Sequence, residues 1–469
     1  MLFMEDFNQV ENIMKMINKS KEGGITEGSL WNKILLFALP LAATSVLQQL
    51  FNSADIAVVG RFCGSEALAA VGSNQAIINL IINLFVGLSI GANVVVSRYI
   101  GQGRKEKIGS AVHTAIAIAI LSGVFLLVVG FFITKPILIL IGSPKDVINL
   151  ASVYLKIYFI GMPFMMIYNF GSAILRSKGD TKKPLICLCI SGVVNVILNL
   201  FFVLVCKLGV AGVGIATVIA NIISSSCILY FLTHEESEIK LDLKNIKINK
   251  HNLKSMARIG LPAGLQGMVF SISNVCIQAA INSFGSDGIA GSSAALNYEY
   301  FTYFLLNAFS QTAVTFVSQN YGARKYSRCK KALLLCIIFG STSCFILSMI
   351  FYRWKHAFIS IYTTKDAVYK YAFIRMRYVL IFQFINSFLD IISGGLRGLG
   401  RSLVPALITI AGVCGFRLLW VGTVFVKNHT YKTLMMVYPV SWIITVAVIV
   451  IAYFVLTRKI YNVDTEEVI

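Results

Sequence analysis

The chain has 469 residues, 57% of them apolar and only 13% charged, where a soluble protein carries about 25% charge. That much apolar surface cannot be hidden inside compact water-soluble domains, so a soluble enzyme is excluded and a polytopic membrane protein is implied. The net charge of +20 comes from 41 Lys and Arg that fall in short clusters between apolar runs, the distribution of membrane loops rather than of a nucleic-acid-binding domain.

Residues 1–33 are polar, lack an apolar leader core and read as a cytosolic tail. Twelve runs long enough to span a bilayer as helices follow, at about 34–59, 68–97, 109–133, 148–173, 185–206, 210–233, 259–284, 290–317, 332–352, 371–395, 403–426 and 434–456. Spans two and eight are interrupted by polar residues such as Asn74, Asn93, Glu299 and Asn307. The runs are too long and too uniformly apolar for β-barrel strands. The long polar stretch 234–258 reads as a cytosolic linker between an N-lobe, 34–233, and a C-lobe, 259–456, with 457–469 a second tail. With both termini inside, cytosolic segments hold 27 Lys and Arg against 10 outside, as expected of a protein of the cytoplasmic membrane. The 10 Cys show no zinc or redox spacing and read as packing residues.

The chain repeats itself at an offset of 221 residues. Gly64-Ser65-Glu66-Ala67-Leu68-Ala69 matches Gly285-Ser286-Asp287-Gly288-Ile289-Ala290, and Ser97 and Gly101 match Ser318 and Gly322. Leu175-Arg176-x-x-Gly179 matches Leu396-Arg397-x-x-Gly400, and Pro184 matches Pro405. A repeat of six spans keeps its orientation. The expected fold is therefore all-α, with twelve transmembrane helices in two parallel six-helix repeats around a central cavity.

Several of these residues carry a family resemblance. The Leu-Pro that opens each half, Asp55-x4-Gly60, the loop of Gly64, Leu68, Ala69 and Ala70, Gln319-Asn320-Tyr321-Gly322-Ala323 and the two Leu-Arg-x-x-Gly motifs together resemble the multidrug and toxic compound extrusion (MATE) family. The likeness covers about residues 34 to 456. It implies two six-helix lobes that export lipophilic organic cations in exchange for inward proton or sodium flow, with no further cofactor and with the single chain acting as a monomer. A lipid-linked oligosaccharide flippase of related fold is the alternative. Enzyme motifs are lacking: there is no H-E-x-x-H, G-x-S-x-G or Walker pattern.

Ionisable residues inside spans usually face a cavity or a partner. Asp55 lies in the outer half of span one, and Asn195 and Asn199 share a face of span five. Thr217 of span six lies at the depth of Asn199. These oxygen ligands form a candidate cation-coupling site, for a proton or for Na+. The resemblance adds that some members join an Asp of span one to an Asn, an acid four residues later on span five and a Thr of span six. Asp55, Asn195 and Thr217 match, whereas Asn199 is neutral where the pattern has an acid, which favours a proton over sodium. In the second lobe the acid that some members carry eleven residues before the Leu-Arg-Gly arginine falls at Asn386, so that site does not carry over; Asp390 is expected to pair with Arg397. Glu299 among Tyr298, Tyr300 and Tyr303 reads either as a receptor for organic cations or as a salt-bridge partner of Arg375 or Arg377. Met165 reads as a cavity-lining or a packing residue, and Asp390 as a further candidate for substrate contact.

Overall fold

The computed structural model describes residues 24–140 and 147–466, and every regular element among them is helical. Most of the expected N-terminal tail, to residue 23, and the last three residues lie outside the described residues. The first six spans are α1 (Leu30–Phe62), α2 (Ser65–Gly101), α3 (Lys105–Leu140), α4 (Ile148–Ile160 and Met162–Lys178), α5 (Lys182–Leu200, prolonged by a π turn, Phe201–Val205) and α6 (Gly209–Thr233). The second six are α7 (Lys250–Asn282), α8 (Gly285–Gly322), α9 (Tyr326–Arg353), α10 (Asp366–Arg375, a π turn Met376–Leu380, then Gln383–Gly398), α11 and α12 (Tyr431–Glu466). α11 alternates between two helical types: Leu403–Thr409, a π turn Ile410–Gly415, Phe416–Trp420 and a second π turn Val421–Phe425.

Each expected span falls within one of these units, apart from the fifth, seventh and eleventh, which overrun the helix end by one or two residues. Among the described residues nine helices are long and apolar enough to cross a membrane singly, and the two parts of α4 and of α10 qualify together across bends of 47° and 40°. The remaining unit, α8, is the most polar. Its Thr312, Thr315, Ser318, Gln319 and Asn320 are buried against other helices, which is how a polar helix fits inside a bundle. All ten cysteines are free, and five of them are buried.

Two expected boundaries move. The linker is shorter than 234–258, because α7 starts at Lys250, where the Asn249 side chain accepts hydrogen bonds from the His251 and Asn252 amides at 2.9 and 3.2 Å. The expected tail from residue 457 begins as helix, since α12 continues to Glu466. The linker is also pinned to the first lobe. Glu235 takes Lys178 at 2.6 Å and Lys183 at 2.8 Å, one on each carboxylate oxygen. Burial opposes the charge of Glu235, but the two lysines overcome it and hold the carboxyl at about 2.

The duplication is visible in the backbone. Gly64 and its counterpart Gly285 have φ of 88° and 72°, and Gly179 and Gly400 end their helices at φ of 108° and 78°. These are left-handed turns that favour glycine at both members of each pair. The repeats also meet about a pseudo-twofold axis: a Cβ at Gly101 would collide with the Gln319 carbonyl, and one at Gly322 with that of Arg98. Each contact is the other shifted by 221 residues. Segments expected on the cytosolic face gather at this end. Lys105 pairs with Glu238 at 3.3 Å, and Lys325 and Arg328 donate to the backbone carbonyls of Thr26 and Glu27 at 3.1 and 2.7 Å.

Candidate functional site

The first site is built where α1, α5 and α6 meet. Gly192 of α5 has no side chain, and Phe51 of α1 fills the space that a Cβ would need. One turn on from this contact along α1 and one and two turns on along α5, Asp55 meets Asn195 and Asn199. The three are 8%, 5% and 0% exposed, so water does not satisfy their polar atoms. The Asn199 amide group donates both to Asp55 Oδ1 and, at 3.2 Å, to Asn195 Oδ1. Thr217 of α6 interacts with the same carboxyl while its hydroxyl donates to the Val213 carbonyl at 3.0 Å. The hydroxyl has one proton and two acceptors within reach, the Val213 carbonyl and the Asp55 carboxyl. Asn199 Oδ1 is buried with no hydrogen-bond partner among the described residues. The sequence-derived set Asp55, Asn195, Asn199 and Thr217 is thus one cluster, with an oxygen left over.

Tyr154 and Tyr158 of α4 complete the surroundings. Their rings lie 6.1 Å apart, both are near enough to interact electrostatically with Asp55, and the Tyr158 hydroxyl points at Met165 Sδ, 4.0 Å away. Sequence reading missed both tyrosines, since nothing in a span of mixed apolar residues marks which face a bent helix turns inward. Met165, partly buried, packs against the N-lobe core beside this cluster.

The C-lobe buries charge differently. Arg375 and Glu299 form a two-pronged ion pair, Nε to Oε1 at 2.7 Å and Nη2 to Oε2 at 2.8 Å, with Nη1 donating to Ser292 Oγ at 2.7 Å. Both are nearly sealed from solvent, at 3% and 5% exposure. The expectation that Glu299 receives a cation is corrected, since both carboxylate oxygens are already taken. Tyr298 is corrected too. One residue is about 100° around a helix, so Tyr298 turns away from its neighbours and donates to the Phe358 carbonyl at 2.7 Å amid Phe351, Phe358 and Tyr362.

Tyr300 and Tyr303 do line a cavity of about 480 Å³, together with Glu299, Arg375, Asn386 and Arg417. Asp390 and Arg397 share a smaller adjoining cavity of about 130 Å³, but Arg397 donates to Gln266 Oε1 at 2.8 Å rather than pairing directly with Asp390. Arg397 thus bonds to α7 while it and Asp390 stay close enough to interact electrostatically. His, Cys, Asp and Glu nowhere gather in threes that would hold a metal ion among the described residues.

A bundle of membrane-crossing helices in two repeats, with buried polar sites and cavities within the lobes, is an architecture of membrane transporters. The MatE family model matches residues 40–201 and again 262–420, one match per repeat. The chain belongs to this family of multi-pass membrane transporters, whose members are not enzymes. It is 27% identical to a probable multidrug resistance protein, YoeA of Bacillus subtilis, over 86% of this chain and 88% of that one. It is 24% identical to the probable multidrug resistance protein NorM of Thermotoga maritima, over 82% and 84%. A MOP superfamily transporter from Pyrococcus furiosus superposes with a TM-score of 0.85 at 20% identity, covering 93% of this chain and 98% of that one.

Proposed function

We propose that this transporter is a proton-coupled antiporter exporting small amphipathic molecules, with Asp55 as the coupling residue. The observation that carries the proposal is a single carboxylate, buried between α1 and α5, tied to a carboxamide whose own oxygen is unpartnered. Protonation gives Asp55 an O–H donor while its other oxygen still accepts. Asn199 Oδ1, unpartnered among the described residues, can then accept from that O–H. That exchange alters the bonding between α1 and α5, and a ligand that interacts differently with two conformations shifts their populations. Asn195 and Thr217 hold the cluster and supply further oxygens. Sodium at Asp55, Asn195, Asn199 and Thr217 is the alternative occupant, but only one formal negative charge is present to bind it.

The organic-cation reading came from the family resemblance, with Glu299 as its candidate receptor, and the bond of Glu299 to Arg375 removes that receptor. The flippase alternative is not favoured: the two relatives from Bacillus subtilis and Thermotoga maritima are named probable multidrug resistance proteins. Orientation with both termini in the cytosol rests on the loop charges, 27 against 10, and the lobes are taken as 34–233 and 259–456. The test is transport by the full chain in liposomes, with a proton gradient imposed in the absence of sodium and a sodium gradient imposed at equal pH. A proton gradient alone is expected to drive uphill movement of a fluorescent probe. Indifference to both gradients would refute coupling.

A further inference from the structure

Arg417 is 1% exposed, and its Nε, Nη1 and Nη2 all lack hydrogen-bond partners among the described residues. An Arg stays charged and carries five N–H donors, so burying one without acceptors costs several kcal/mol unless something supplies them. The carboxylate that lines the same cavity, Glu299, is bonded through both oxygens to Arg375. That pair cancels, and Arg417 gives the cavity its net charge.

The surroundings of Arg417 are aromatic. Its guanidinium lies 4.3 Å from the Tyr438 ring centre, 5.6 Å from that of Phe270 and 5.9 Å from that of Trp442. Ring faces stabilise the cation but accept no N–H bond in the guanidinium plane, so the donor edge stays unfilled. The backbone adds an independent sign. The short helical stretch Phe416–Trp420 lies between two π turns, and π turns within helices recur at functional sites. The cavity, about 480 Å³, falls in the ~300–1,000 Å³ range of small-molecule sites.

We infer that the C-lobe cavity is a binding site for a small aromatic anion, whose carboxylate, sulfonate or phosphate meets the guanidinium edge of Arg417 while its ring system packs among Tyr300, Tyr303, Tyr438 and Trp442. A planar carboxylate matches the guanidinium fork in two parallel bonds. The polarity is opposite to that of a receptor for organic cations. The inference rests on the reading that the protein moves small molecules, and it assigns the charge of what it moves.

The test compares fluorescein, an aromatic dianion at mildly alkaline pH, with tetramethylrosamine, a cation on the same xanthene core. Binding to the purified full chain in phosphatidylcholine nanodiscs, which carry no anionic lipid, is followed by fluorescence anisotropy. The wild type is expected to bind fluorescein at least about tenfold more tightly than tetramethylrosamine. Arg417→Gln should lose about tenfold or more of the fluorescein affinity while binding the cation unchanged, and Arg417→Lys should fall between. Equal or better binding of the cation by the wild type would overturn the site, and this comparison needs no variant to fold. Undiminished fluorescein binding by a folded Arg417→Gln would overturn it as well. Binding is read at equilibrium with no gradient imposed, so failure of this site appears as lost charge preference here, whereas failure of proton coupling appears only in gradient-driven transport.

Discussion

At the N-lobe site the buried charge is one carboxylate, Asp55, among neutral donors and acceptors; at the larger C-lobe cavity it is a carboxylate locked to one arginine beside a second arginine with no acceptor among the described residues. The lobes descend from one repeated unit and share left-handed glycines at matching positions. Their chemistry has nevertheless diverged to opposite polarity. A carboxylate among neutral partners can gain and lose a proton and exchange its bonding as it does so, whereas an Arg cannot be deprotonated in a protein. The first arrangement is suited to responding to a gradient, and the second to holding a fixed positive charge toward a ligand. Neither centre depends on bonds to the other, so each is open to separate perturbation.

The largest expected effect breaks the pair in the C-lobe. Glu299→Gln leaves Arg375 and Arg417 as two uncompensated buried cations, and removing one partner of such a pair costs about 3–5 kcal/mol. Thermal unfolding of the purified protein should show a clear drop for Glu299→Gln and little change for Asp55→Asn, which removes a lone charge. Equal losses would contradict the contrast between the lobes. Next in size, Asn199→Asp places a second carboxylate beside Asp55. It should confer stabilisation by sodium that grows with sodium concentration, because a ligand bound only by the folded state stabilises it by mass action. A sodium response already present at full size in the wild type would mean that one carboxylate suffices.

The smallest expected effect lies outside both centres. Glu235 is held at about 2 by Lys178 and Lys183, below the ordinary value of 4.5. A carboxyl lowered on folding contributes stability that is complete above the ordinary value and is lost as pH falls toward 2. Wild type and Glu235→Gln should therefore differ modestly in unfolding temperature near neutrality and converge in acid. A gap that widens on acidification would show that the lysines do not act through the Glu235 charge.

The helix count, the duplication and the Asp55 cluster were legible in the sequence because each is local or periodic. Apolar runs mark spans, a constant offset marks the repeat, and Asn195 with Asn199 share a helix face by spacing alone. What was not legible depends on rotation and on partners distant in the chain. Nothing near Glu299 in sequence announces that Arg375, 76 residues away, takes both its oxygens. Tyr298 and Tyr300 flank Glu299 in sequence yet point to different surroundings. Arg417 could be counted as a basic residue within a span, but only the packing shows that no acceptor reaches it.

The claim that Asp55 carries the coupling is tested most directly by separating uphill from downhill movement in one variant. Asp55→Asn, reconstituted in liposomes at wild-type density, is supplied with a proton gradient and, separately, with a gradient of the fluorescent probe alone. The predicted result is that probe still equilibrates down its own gradient, while proton-driven accumulation falls to the level of protein-free liposomes. Proton-driven accumulation at the wild-type rate would contradict it.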